Sequence, residues 1–149
     1  MEQRKIGKEL LRMGQRKEEE EVFKVVWKRN LIPSGIENGA ESRVEAYHSH
    51  PFHEMLLILS DRFTALTPSG RYTHNGSCLL LYKADRLHAQ INGSGIYERF
   101  YFYFSKEELK AYPPVEDMLR KTEKEDLILL PLSVRAAGQL ADIARILTE

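Results

Sequence analysis

Residues 43–105 predict a mainly β domain, a barrel or sandwich of short strands flanked by helices on its C-terminal side. The first reason is a succession of short apolar segments near 43–48, 53–59, 62–67, 71–74, 78–83, 87–92 and 97–105. The second is the spacing of their breakers, Ser60-Asp61, Pro68-Ser69-Gly70, Asn75-Gly76-Ser77, Lys83 to Arg86 and Asn92 to Gly95. Strands so short and so regularly interrupted favour a closed or two-layered β architecture. The third is the lack of room for helices between them, which a parallel α/β sheet would need.

The elements follow in chain order. Residues 1–42 form an N-terminal arm in which Ile6, Leu10 and Met13 have helical spacing, weakened by Gly7 and Gly14. Glu18 to Glu21 reads as a solvated run. Glu21 to Arg29 alternates, with Phe23, Val25 and Trp27 on one face, and predicts a half-buried strand. Pro33-Ser34-Gly35 and Asn38-Gly39 mark a connector. Residues 106–149 change character. Ser105 and Glu108 have the spacing of a capping box for a short helix, which Pro113-Pro114 is expected to stop before a second one over 115–121. A strand is expected over 127–132, and Ser133 caps a helix running to Thr148. Ala136, Leu140, Ile143 and Leu147 make a stripe on that helix, at heptad spacing over too few turns to specify a coiled coil.

His48 and His50 are two residues apart, so an extended backbone would turn both imidazoles to one face. Glu54 follows and His88 comes much later. Three imidazoles and a carboxylate suit Zn, Fe, Mn, Cu or Ni better than Ca or Mg. The alternative is a polar pocket wall without metal. His88, Gln90 and Asn92 form a polar row at period two, offering donors and acceptors to a ligand. Residues 97–104 carry aromatics on both faces, as a central strand buried on both sides would. The side with Arg99 and Tyr101 is the one to border a ligand, Arg99 being equally a structural ion-pair partner. His53 and His74 read as surface or packing residues, and Cys78 as a small buried hydrophobe.

The pattern His48-x-His50-x3-Glu54, followed by His88-x3-Asn92, resembles the two motifs of the cupin superfamily. The longer stretch from His48 through Leu79–His88 and Tyr97–Ser105 to Leu127–Leu132 resembles the effector-binding domain of AraC-type transcription regulators. The resemblance covers roughly residues 43–149, and it departs from the family pattern at Ser77-Cys78 and Ala84. It implies a cupin-like double-stranded β-helix (jelly-roll) barrel that senses a small molecule, a sugar being the first expectation, without catalysis. The ligand-binding residues would be His48, His50, Glu54, His88, Gln90, Asn92, Arg99 and Tyr101. A divalent transition metal on His48, His50, Glu54 and His88 is the candidate cofactor. The resemblance also implies a homodimer through Ala136, Leu140, Ile143 and Leu147. The alternative function is a standalone metal-dependent cupin enzyme, a dioxygenase or isomerase.

Composition narrows the partners. The 22 basic residues balance 22 acidic ones, so no global field attracts nucleic acid. No helix-turn-helix signature precedes Glu149, and DNA would be read only through a domain outside this chain. One cysteine excludes an internal disulfide and fits a reducing, cytoplasmic setting. The longest apolar run falls well short of the roughly 20 residues that span a bilayer.

Overall fold

The computed structural model describes residues 23–32, 46–59, 62–92 and 95–148. The helix expected in the arm, the glutamate run and the connector lie outside them. Two antiparallel sheets face each other. The larger has the order β1-β7-β2-β5-β8, built from Lys24–Ile32 (β1), Gly95–Phe104 (β7), His53–Ile58 (β2), Cys78–Tyr82 (β5) and Leu127–Pro131 (β8). The smaller has the order β4-β3-β6, from Gly70–Asn75 (β4), Arg62–Thr67 (β3) and Ala89–Asn92 (β6). The arm's strand is thus an edge strand of the large sheet, paired along its length with β7. The strand expected over 43–48 is present, among the described residues, only as an isolated bridge between His48 and His88.

Alternation decides what each sheet buries. On β2, Glu54, Leu56 and Ile58 point between the sheets, where Leu56 and Ile58 meet Phe63, Ala65, Leu80, Tyr82 and Tyr101. Met55 and Leu57 point outward beneath the last helix. The same rule splits β7 into an inner row, Arg99, Tyr101 and Tyr103, and an outer row, Phe100, Phe102 and Phe104. Both rows are largely buried, which is why the segment reads as apolar on both faces.

The C-terminal segment supplies that cover. Its helices are α1 (Lys106–Leu109), α2 (Pro113–Lys121) and α3 (Val134–Thr148). The capping box is present: Glu108 N–H donates to Ser105 Oγ at 3.0 Å. The first helix ends before Pro113 and Pro114, as expected, and the pair occupies the first positions of α2, two residues ahead of the expected start. The missing N–H is harmless there, and the fixed φ is already helical. Ser133 caps α3, accepting from Ala136 N–H at 3.1 Å. The face of α3 that packs on the sheet is Ala137, Ala141 and Ala144, small residues that let the helix lie close to Leu57, Phe100 and Phe102. Among the described residues no helix is long and apolar enough to cross a membrane.

Candidate metal centre

Glu54 stands on the inner face of β2, with Tyr82 directly opposite on β5 and Tyr103 opposite on β7. His48 and His88 exchange two backbone hydrogen bonds, each 3.0 Å, which sets their rings side by side at 4.4 Å. His50 lies between them and Glu54, its ring stacked on Phe52 at 4.2 Å. One ligand atom from each of His48, His50, Glu54 and His88 lies within 4.8 Å of the others. His88 and Glu54 are buried, whereas His48 and His50 are partly exposed, so the cluster opens on their side.

The three imidazoles share a detail that decides their chemistry. Nδ1 of His48 lies 2.9 Å from Ala46 O, Nδ1 of His50 lies 2.8 Å from Phe52 O, and Nδ1 of His88 lies 3.0 Å from Arg86 O. A carbonyl oxygen only accepts, so each Nδ1 carries a proton and donates. That fixes the tautomer and leaves Nε2 as the metal-facing atom of each neutral ring. His88 Nε2 is buried with no hydrogen-bond partner among the described residues, 3.7 Å from Glu54 Oε2. Metal–ligand distances of about 2.1 Å require the four donors to contract slightly around an ion. The donor set, the oriented rings and the orphaned Nε2 all fit a divalent transition metal.

Without metal, His50 Nε2 bonds Glu54 Oε2 at 2.7 Å. Burial alone would raise the Glu54 pKa, but the hydrogen bond from His50 and the proximity of His88 outweigh it and hold the carboxyl down at about 2. Burial also works against the charged form of His50, yet its bonds to Glu54 and to the Phe52 carbonyl raise its pKa above 6.5. The two shifts describe one interaction and are counted once. A depressed carboxyl stabilises above its unfolded value of 4.5, and that stability is lost as pH falls toward about 2. A raised histidine stabilises fully below 6.5 and loses its contribution as pH rises through its folded value. Metal-free protein is therefore expected to draw most from this pair between pH 4.5 and 6.5, on the order of 3 kcal/mol at 1.36 kcal/mol per pH unit. Urea unfolding from pH 3 to 8 in a chelating buffer checks this. If Glu54→Gln retains the same fall in stability below pH 4.5 as the wild type, the pair is not its source.

The remaining candidate residues do not all join the centre. Gln90 is buried on β6 and accepts from Arg99 Nη1 at 3.0 Å. Arg99 is fully buried, with its guanidinium 5.5 Å from the Phe63 ring centroid. Arg99 stands opposite Ile58, four residues along β2 from Glu54, a separation of about 13 Å at the usual strand rise. Tyr101 lies between these levels, opposite Leu56. Asn92 pairs with Phe63 through the strand ladder, and its side chain lies outside the described residues. The interior thus has two polar stations, the histidine–Glu54 cluster and the Arg99–Gln90 pair, and Gln90 stands only two residues beyond His88. Lys28, which the strand pattern did not single out, faces the second: it is opposite Arg99, and its Nζ sits 5.0 Å over the Tyr101 ring.

Other neighbours of the centre also escaped local sequence logic. Tyr82 stacks on His88 at 4.1 Å with nearly parallel rings, and Phe52 meets Tyr103 edge-on at 5.4 Å. These contacts depend on which strands pair and in what register, and no local spacing encodes that. Of the two expectations for His53, a surface or a packing residue, its burial matches the second. It is buried, and its Nδ1 accepts from Ala84 N–H at 3.1 Å. Desolvation, then the charges of Lys106 and Lys83, push its pKa below 6.5. Cys78 lies in the core as a small buried group.

Two facing antiparallel sheets with this cluster between them make the chain a cupin-like β barrel. The solved structures it resembles include ToxT from Vibrio cholerae, an AraC-family regulator, at a TM-score of 0.55 and 16% identity over 83% of this chain and 48% of that one. ToxT bound to (E)-4-(8-methylnaphthalen-1-yl)but-3-enoic acid gives 0.55 and 17%, over 87% and 49%. Wild-type ToxT with an unsaturated fatty acid bound gives 0.57 and 14%, over 84% and 46%. The chain therefore spans about half the length of the ToxT chains it matches. At these identities the likeness establishes the fold. No family model matches the chain, and a search of curated proteins finds no match.

Proposed function

We propose that this chain is the effector-sensing part of an AraC-type transcription regulator, and that a divalent transition metal on His48, His50, Glu54 and His88 is the receptor for a small effector. The observation that carries the metal is the commitment of three Nδ1–H groups to nearby carbonyls, which leaves three Nε2 atoms around one carboxylate. The likeness to ToxT supports the sensing role, since two of that regulator's structures hold a bound carboxylic acid. Bound metal would act as a Lewis acid toward ligand oxygens. Its open side, next to His48 and His50, favours an effector with two adjacent oxygens. Sugars and hydroxy acids both qualify. Effector binding would bias one barrel conformation, and with it a separate DNA-reading domain.

Elemental analysis of protein purified without a metal-binding tag tests the first half, with near-stoichiometric Zn, Fe, Mn, Ni or Cu expected. A thermal-shift screen of sugars and hydroxy acids, with and without chelator, tests the second. Stabilisation by a hit that survives chelation would remove the metal from the sensing role. The same open side supports a second reading, a metal-dependent dioxygenase or isomerase. Consumption of dioxygen or conversion of a screening hit by the metal-loaded chain would decide for it.

The sensor reading includes a homodimer. Helix α3 buries its alanines and leaves Ile143 56% and Leu147 50% exposed, with Leu140 and Ala136 at the margin. That stripe would bury its apolar area against a second copy, most simply about a two-fold axis. Sedimentation at high micromolar concentration is expected to give a dimer that Leu147→Asp dissociates. A monomer indifferent to that substitution would refute the pairing.

A further inference from the structure

The turn between Tyr82 and His88 delivers the last ligand of the centre. Lys83 and Arg86 tie it to the segment from Thr122 to Asp126, and two further bonds tie it to the ligand-bearing segment. Ala84 N–H donates to His53 Nδ1 at 3.1 Å, and Asp85 N–H donates to His50 O at 2.8 Å. Asp85 has a φ of 62°, a left-handed conformation that aspartate tolerates better than most non-glycine residues. Three residues later His88 closes its double bridge to His48. The turn is thus stitched to the segment from His50 to His53, which carries one ligand and runs directly into another, Glu54. His53 is 8% exposed, so water is poorly placed to replace its lone pair at the Ala84 amide. Its ring does not contribute to the four-residue ligand cluster.

Resting on the metal reading above, we infer that His53 is a positioning residue for the metal centre: by accepting the Ala84 amide it sets where the turn delivers His88 relative to His50 and Glu54. An acceptor at the position of Nδ1 is the property that matters, and the imidazole as such is dispensable. Asparagine can present its side-chain oxygen near that position. Phenylalanine keeps the ring volume without an acceptor, and serine is too short to reach.

The test titrates Zn(II) and Co(II) into wild type, His53→Asn and His53→Phe, with Co(II) absorption reporting the ligand set and thermal melts of the metal-free proteins reporting stability. His53→Ser replaces His53→Phe if the latter does not fold. The expected result is an affinity loss of about tenfold or more for the variant without an acceptor, the size seen when outer groups that orient ligands are removed, with a changed Co(II) spectrum. His53→Asn should remain within about threefold of wild type with the wild-type spectrum, on the same scale. Wild-type affinity in the variant without an acceptor would overturn the inference. Equal losses in both variants would overturn it too, because the residue would then act through its volume alone. If wild type binds neither ion, the metal reading itself fails, and this inference with it, before any variant is compared.

Discussion

His88→Ala is expected to lower Zn(II) affinity by more than about 100-fold, beyond the range for changes outside the ligand set. His88 supplies one of four donors, and its Nε2 is the one buried there without a hydrogen bond. The substitution leaves the backbone bridge to His48 intact, since both of its bonds are main-chain. It removes an unsatisfied buried acceptor while losing the stack on Tyr82, two effects of opposite sign on stability. Competition against a chromophoric chelator measures the affinity, with circular dichroism as the check on folding. Retention of wild-type affinity by a folded His88→Ala protein would show that the cluster is a polar wall.

Phe100→Ala is expected to destabilise the chain by about 3–5 kcal/mol, the usual range for deleting a buried aromatic ring. Phe100 is fully buried, on the outer face of the sheet, against Leu57, Ala141 and Ala144. Its ring also stacks on Trp27 of the edge strand at 6.4 Å. The cavity would lie beneath α3, whose buried face is Ala137, Ala141 and Ala144 with Leu140 beside them, so the helix has little side-chain bulk directly over the gap. For a domain of this size the melting temperature should fall by roughly 10–15 °C. A drop of only a few degrees would mean that α3 does not cover this face in solution. Metal affinity should change little, because Phe100 points away from the inner face that carries Glu54.

Local chemistry was enough for much of this architecture. Short apolar runs between turn residues located most strands to within a residue or two, because alternation and breakers are properties of neighbouring residues. The capping box at Ser105 and the N-cap at Ser133 were readable for the same reason. His48, His50 and Glu54 are close in sequence, so their grouping was legible too, and the pattern they make with His88 carried the family resemblance. The proline pair marked the break between α1 and α2, and the prolines themselves take the first positions of α2, where no N–H is needed.

Tertiary structure alone decided the rest. Only strand register places Tyr82 and Tyr103 on either side of Glu54, and only register sets Arg99 opposite Ile58, about 13 Å along β2 from Glu54. The role of His53 depends on a turn 31 positions away. The sequence by itself determined which residues can bind a metal and which faces must be buried. Which of those residues meet was left to the pairing of distant strands, because hydrogen bonds between strands join backbone groups present in every residue and carry no local signature of their partner.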